Sequence, residues 1–240
     1  IEGTTGGENI TGPNIASIID GGTGNDTIIG GSANDTIDGG QGTDSLTGGA
    51  GNDVYNFNTG HVGSGESITE ASSGGTDVVS IVTSTDFANM TAASFNEIEE
   101  IRFAGANKTG TFTSLQLGSE TLSLTETVEG TANLIINVGS GETANFTGIT
   151  AGTFDSGADT FTIEGTTGGE NITGPNIASI INGGTGDDTI IGGSANDTIT
   201  GGAGNDILTG NGGTDSLTGG AGNDVYNFNT GHVGSGESIT

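Results

Sequence analysis

Cysteine and tryptophan are absent from the 240 residues, proline occurs twice, and the only basic side chains are Arg102 and Lys108. Without cysteine no disulfide can staple the chain, and no Cys/His cluster exists to hold zinc or a redox metal. Two cations cannot neutralise a phosphate backbone or an anionic bilayer, which excludes nucleic acid and acidic membrane as partners. No run of eighteen apolar residues occurs, so no membrane insertion is expected. The opening Ile1-Glu2-Gly3 does not read as a signal peptide, and export is not legible there.

What is present is glycine, 50 residues of it, and acid: 30 aspartates and glutamates leave a formal net charge of -28. With 30% hydrophobic and 5% aromatic residues, such a chain buries too little apolar surface to offset the entropy of ordering it. The missing free energy must come from elsewhere. Oxygen ligands are abundant and soft ligands are not, which points to calcium.

Two periods are nested in the sequence. Ile1–Gly40 returns as Ile163–Gly202, an offset of 162, with three changes: Asp20 becomes Asn182, Asn25 becomes Asp187 and Asp38 becomes Thr200. Thr43–Thr69 returns unchanged as Thr214–Thr240, an offset of 171. The offsets differ by nine residues, so nine is the structural step of a solenoid that accepts an added unit without losing register. The chain begins and ends partway through the long repeat, as expected of a piece of a longer tandem array.

Units such as GGTGNDTII from Gly21, GGQGTDSLT from Gly39 and GGAGNDILT from Gly201 place aspartate at position six and a large hydrophobe at position eight. The aspartates are Asp26, Asp35, Asp44 and Asp53, then Asp188, Asp197, Asp206, Asp215 and Asp224. The hydrophobes are Ile28, Ile37, Leu46 and Tyr55, then Ile190, Ile199, Leu208, Leu217 and Tyr226. Glycines permit a tight turn whose carbonyls converge, aspartate adds a charged ligand, and the following x-U-x triplet suits a short strand with one inward side chain. Two facing strands make a turn of eighteen residues.

The pattern GGxGxDxUx resembles the RTX (repeats-in-toxin) calcium-binding family. That resemblance implies an all-β parallel β-roll, a β-helix solenoid in which aspartates two units apart share calcium with turn carbonyls. The implied pairs are Asp26 with Asp44, Asp35 with Asp53, Asp188 with Asp206, Asp197 with Asp215 and Asp206 with Asp224. Asp206 then serves two pairs and Asp53 one. Glu8, Ser17, Glu170 and Ser179 keep the register without the aspartate, and are expected to continue the coil with poor or no metal. Glu66, Asp77 and Asp159 echo the motif with altered spacing. Asp77 and Asp159 suit a ligand and a solvated turn carboxylate equally, and Glu66 matches less well than either.

Residues 1–69 thus form one array and 163–240 a second, with a β-rich segment at 70–162 that suits further metal-free solenoid turns or a small β-sandwich. Its FNEIEEIRFAG stretch is similar to linkers between RTX arrays in surface-layer proteins, and Asn89–Ile98 is its one candidate for helix. His61 and His232 occupy one repeat position with no nucleophile beside them, as surface turn residues do. No enzyme is expected. The resemblance implies a secreted, extracellular or cell-surface structural protein of a bacterium, a module of a surface layer, sheath or filament that self-associates with identical or tandem modules. The alternatives are a calcium-stiffened adhesin extender and the secretion tail of an exported hydrolase or toxin; recurrence of a whole module argues against the last.

Overall fold

The computed structural model describes residues 1–70, 75–118, 120–128, 130–154, 157–228 and 238–240, which leaves His232 outside the described residues. The chain is a parallel β-solenoid of about 11 turns. It divides into two compact units, one of Ile1–Thr111, Leu122–Ala132 and Gly152–Phe154, the other of Phe112–Thr121, Asn133–Ala151 and Asp155–Thr240. Helix is confined to a 3-10 turn at Ala92–Phe95 and a single turn at Ser114–Leu117. The helical candidate at Asn89–Ile98 therefore shrinks to four residues, Ala92–Phe95.

In the first unit, strands Asn9–Thr11, Thr27–Gly31, Ser45–Gly49 and Ser67–Thr69 form one parallel sheet. Strands Ile18–Asp20, Thr36–Asp38, Val54–Phe57, Val78–Ile81, Glu100–Phe103 and Leu122–Glu126 form the other. The chain alternates between the sheets. The second unit repeats the plan: Thr143–Asn145, Asn171–Thr173, Thr189–Gly193, Ile207–Asn211 and Val225–Asn227 make one sheet, while Ala132–Asn137, Thr160–Glu164, Ser179–Thr185, Thr198–Ala203 and Ser216–Ala221 belong to the other. Within the arrays, contacts recur every 18 residues, two nonapeptides per turn.

In most strands of the repeats, period two sends one large hydrophobe inward. Ile28, Ile37, Leu46 and Tyr55, like Ile190, Ile199 and Leu208, are fully buried, and Leu217 is nearly so. Their in-register stacking, Ile28 on Leu46 and Ile190 on Leu208, makes a narrow core one side chain wide. At certain turn positions the next coil leaves no room for a side chain: Gly42 has φ +151°, and a Cβ there would lie 1.6 Å from the carbonyl oxygen of Gly24.

Within the first unit, residues 78–111 and 122–126 continue the coil with longer steps. Here contacts link residues 22 to 27 apart, and the wider interior is filled by buried Phe57, Phe87, Phe95, Phe103 and Phe154. Phe87 packs edge-on against both Phe57 and Phe95, at centroid distances of 5.2 and 6.0 Å. Larger aromatic burial compensates where the repeated aspartates thin out.

Strand parity has a direct test. Leu208 is fully buried while its neighbour Ile207 is 39% exposed. Leu208→Ala is expected to cost about 2–5 kcal/mol and Ile207→Ala about 0.5 kcal/mol or less, measured by urea denaturation at saturating calcium.

Candidate metal centre

The residue preceding each short strand is where the chain leaves a turn, and there the position-six aspartates stand one above another. Asp26 N–H donates to Asp44 Oδ1 at 2.8 Å, and Asp35 N–H to Asp53 Oδ1 at 2.7 Å. In the second unit Asp188 donates to Asp206, Asp197 to Asp215 and Asp206 to Asp224, at 2.9, 2.9 and 3.1 Å. Every aspartate pair that the resemblance implies is therefore in direct contact.

The columns extend past the arrays. Glu8, Ser17, Glu170 and Ser179 hold the aspartate register, each donating its N–H to the aspartate 18 residues on. Asp44 N–H donates to Glu66 Oε2 at 3.0 Å, so Glu66 takes an aspartate's place. Asp53 N–H donates to Asp77 Oδ1 at 2.8 Å, and Asp77 N–H to Glu99 Oε2 at 2.7 Å. Asp53 is thus shared on both sides, as Asp206 is, contrary to the expectation that it serves one pair. Asp159 stands apart: the residue in register with Ser179 is Phe161, which puts Asp159 ahead of the column.

The sequence reading missed Glu99, whose longer step from Asp77 breaks the nine-residue count. It also missed a second ladder, one residue earlier. Asn25 Oδ1 accepts Thr43 N–H, Asn34 Oδ1 accepts Asn52 N–H, and Asp187 Oδ1 accepts Asn205 N–H, at 3.1, 2.9 and 2.7 Å. Position five accepts from the following coil and position six from the preceding one, so adjacent coils are clasped in both directions. The recurring Asn-Asp dipeptide was the available signal.

In eight of the column carboxylates one oxygen is satisfied by the backbone and the other is not. Oδ2 of Asp26, Asp35, Asp44, Asp53, Asp188, Asp197 and Asp206 is buried without a hydrogen-bond partner, as is Glu66 Oε1. These oxygens point at the position-one glycines. A Cβ on Gly21 would lie 2.7 Å from Asp26 Oδ2 and 2.4 Å from the carbonyl oxygen of Gly39, and one on Gly192 2.5 Å from Asp197 Oδ2 and 2.7 Å from Gly210 O. Carboxylate and carbonyl oxygens converge on a space that only glycine leaves open. Arg102 is paired with Glu100 at 2.7 Å and His61 with Asp38 at 2.9 Å, so neither serves the columns. His61 is a half-buried turn residue held by that carboxylate.

Orphaned, buried oxygens of hard character with no cation beside them fit a divalent hard ion such as calcium, because an unpaired buried carboxylate is otherwise costly. Burial pushes Asp44 and Asp53 up to about 6, Asp197 to about 7 and Glu66 to about 8. Asp26, Asp77, Asp188 and Asp206 are raised for the same reason. In each case the accepted N–H pulls downward and a neighbouring carboxylate adds to the rise.

A raised carboxyl binds its proton more tightly when folded. Its contribution to stability is present below the unfolded value near 4 and is lost as pH climbs through about 6 to 8. In calcium-depleted buffer the far-ultraviolet circular-dichroism β signal is therefore expected to be larger at pH 5 than at pH 8. With calcium present the order should invert, since the ion needs the ionised form.

The sequence model of the family described as RTX calcium-binding nonapeptide repeat (4 copies) matches residues 18–60, 178–208 and 200–232. No curated protein matches the chain. The matched residues cover the aspartate columns and the one-side-chain core just described. Residues 18–60 and 178–232 carry RTX calcium-binding nonapeptide repeats.

Proposed function

We propose that this chain is a calcium-folded structural module that works outside the cell, as a repeat of a bacterial surface layer, sheath or filament. The observation that carries the proposal is the set of buried carboxylate columns in which seven aspartates and Glu66 each keep one oxygen without a partner. The residues that would hold calcium are Asp26, Asp35, Asp44, Asp53, Asp188, Asp197, Asp206, Asp215 and Asp224, with Glu66 and Asp77 continuing the columns. Asp159, out of register, is the weakest member of the set. A bound divalent cation supplies positive charge that lets successive carboxylates occupy one interior.

The rest follows from the chain itself. At low calcium, self-repulsion from a net charge of -28 and a core one side chain wide favour the open chain. At the higher calcium outside a cell, neutralised columns let adjacent turns close on each other, and the glycine turns, position-five ladder and hydrophobe stack lock in place. β-rolls of RTX repeats are structural domains, and proteins that carry them are typically secreted. Among the described residues no helix is long and apolar enough to cross a membrane. Repetition of nearly identical modules supplies the equivalent surfaces that a regular assembly needs.

Titration with calcium from a chelated start, followed by circular dichroism and light scattering, tests this reading. A coil-to-β change with a midpoint of about 0.1–1 mM, accompanied by large particles, is expected. Folding without particles would assign the module to the extender of an adhesin, and no change would overturn the calcium reading. Asp53→Asn and Asp206→Asn, each shared by two coils, are expected to raise the midpoint by similar factors.

A further inference from the structure

We propose that Glu70 joins Asp53, Tyr55 and Asp77 in a separate cation site that closes the first array and binds more tightly than the repeat sites; this rests on reading the columns as calcium ligands. Glu70 lies outside the nonapeptide pattern and outside the aspartate column. Register explains its place. Leu46 pairs with Ile68 and Thr47 with Thr69, which sets Glu70 opposite Gly48, where the arrays have glycine opposite glycine.

That exchange changes the chemistry of the space beside the position-one glycine. At Gly21, Gly30, Gly183 and Gly192 a Cβ would meet one aspartate Oδ2 and one glycine carbonyl oxygen. At Gly48 it would meet Asp53 Oδ2 at 2.2 Å, Glu70 Oε1 at 2.6 Å and the Tyr55 hydroxyl at 2.6 Å. A neutral carbonyl is replaced by a carboxylate, and a phenol is added. Ligand atoms of Asp53, Glu70 and Asp77 all lie within 4.8 Å of one another.

The oxygens gathered there are not satisfied by protein. Asp53 and Tyr55 are both fully buried, yet Asp53 Oδ2 and Tyr55 Oη have no hydrogen-bond partner, and neither has the buried Oε2 of Glu70. Glu70 Oε1 accepts the Gly48 N–H at 3.1 Å, which positions the side chain over the glycine. Tyr226 likewise approaches Gly219, whose N–H its hydroxyl accepts at 2.8 Å. Three carboxylates around one space raise the ligand charge above that of a repeat site, and affinity for calcium rises with that count.

Terbium, a calcium-sized trivalent ion, emits when an aromatic ring close by absorbs for it, and the chain has no tryptophan and two tyrosines. In the full chain carrying Tyr226→Phe, only Tyr55 can sensitise. The emission is expected to saturate with the first ions added, ahead of the bulk circular-dichroism change. In the same background Glu70→Gln, which keeps the oxygen that accepts Gly48 N–H, should raise the terbium midpoint about tenfold while calcium still induces the β signal. An unchanged midpoint in a folded Glu70→Gln chain would overturn the site. Should that variant not fold, the Tyr226→Phe chain decides alone: emission that only follows the bulk of the ions overturns the proposal. A calcium-induced β signal without early Tyr55 emission would sink this site and leave the column reading intact, whereas loss of any calcium response would sink the column reading.

Discussion

Stacked carboxylates, buried one coil apart, are the constraint to which the rest of this solenoid answers. Each column aspartate takes a backbone N–H from the preceding coil on Oδ1, and this fixes the carboxyl plane. It also leaves Oδ2 inside the protein among like charges, an arrangement whose cost shows in carboxyls raised by burial. If these columns hold calcium as proposed, their closure depends on protons or cations. The same columns therefore hold the coils together and make their closure conditional.

The other regularities serve that stacking. Glycine at position one leaves room for the carboxylate oxygen, and glycine in the turn lets carbonyls of successive coils approach. Position five adds hydrogen bonds in the opposite sense, so a coil is held from both neighbours. In the repeat strands a single large hydrophobe apiece, such as Ile28 and Leu46, makes a thin core. Where the columns thin out, between the arrays, the coil widens and phenylalanines take over the interior. Acidic columns and aromatic packing thus both occur within the first unit.

Much of this was legible in the residues. The phase of Asp26, Asp35 and Asp44 with Ile28, Ile37 and Leu46 leaves one geometry, because a nine-residue step with period-two strands can keep both columns only by coiling. Glu8 and Ser17 were readable as coils without the aspartate for the same reason. Asp159 was not placeable, since the phase slips where spacing changes and Phe161 takes the register. Glu99 and Glu70 were hidden because coils of 22 residues carry no visible period.

Local repetition, then, determined the period, the all-β solenoid, the acidic and apolar columns and the preference for a hard cation. Each of these depends on residues nine or eighteen apart, and a repeated pattern displays such relations directly. Tertiary structure alone decided which carboxylate oxygens are satisfied and which are orphaned, that position five clasps the coils, and that Tyr55 and Glu70 meet over Gly48. Those facts depend on how coils of unequal length come into register, which is set by the packing of each coil on its neighbours and not by any spacing along the chain.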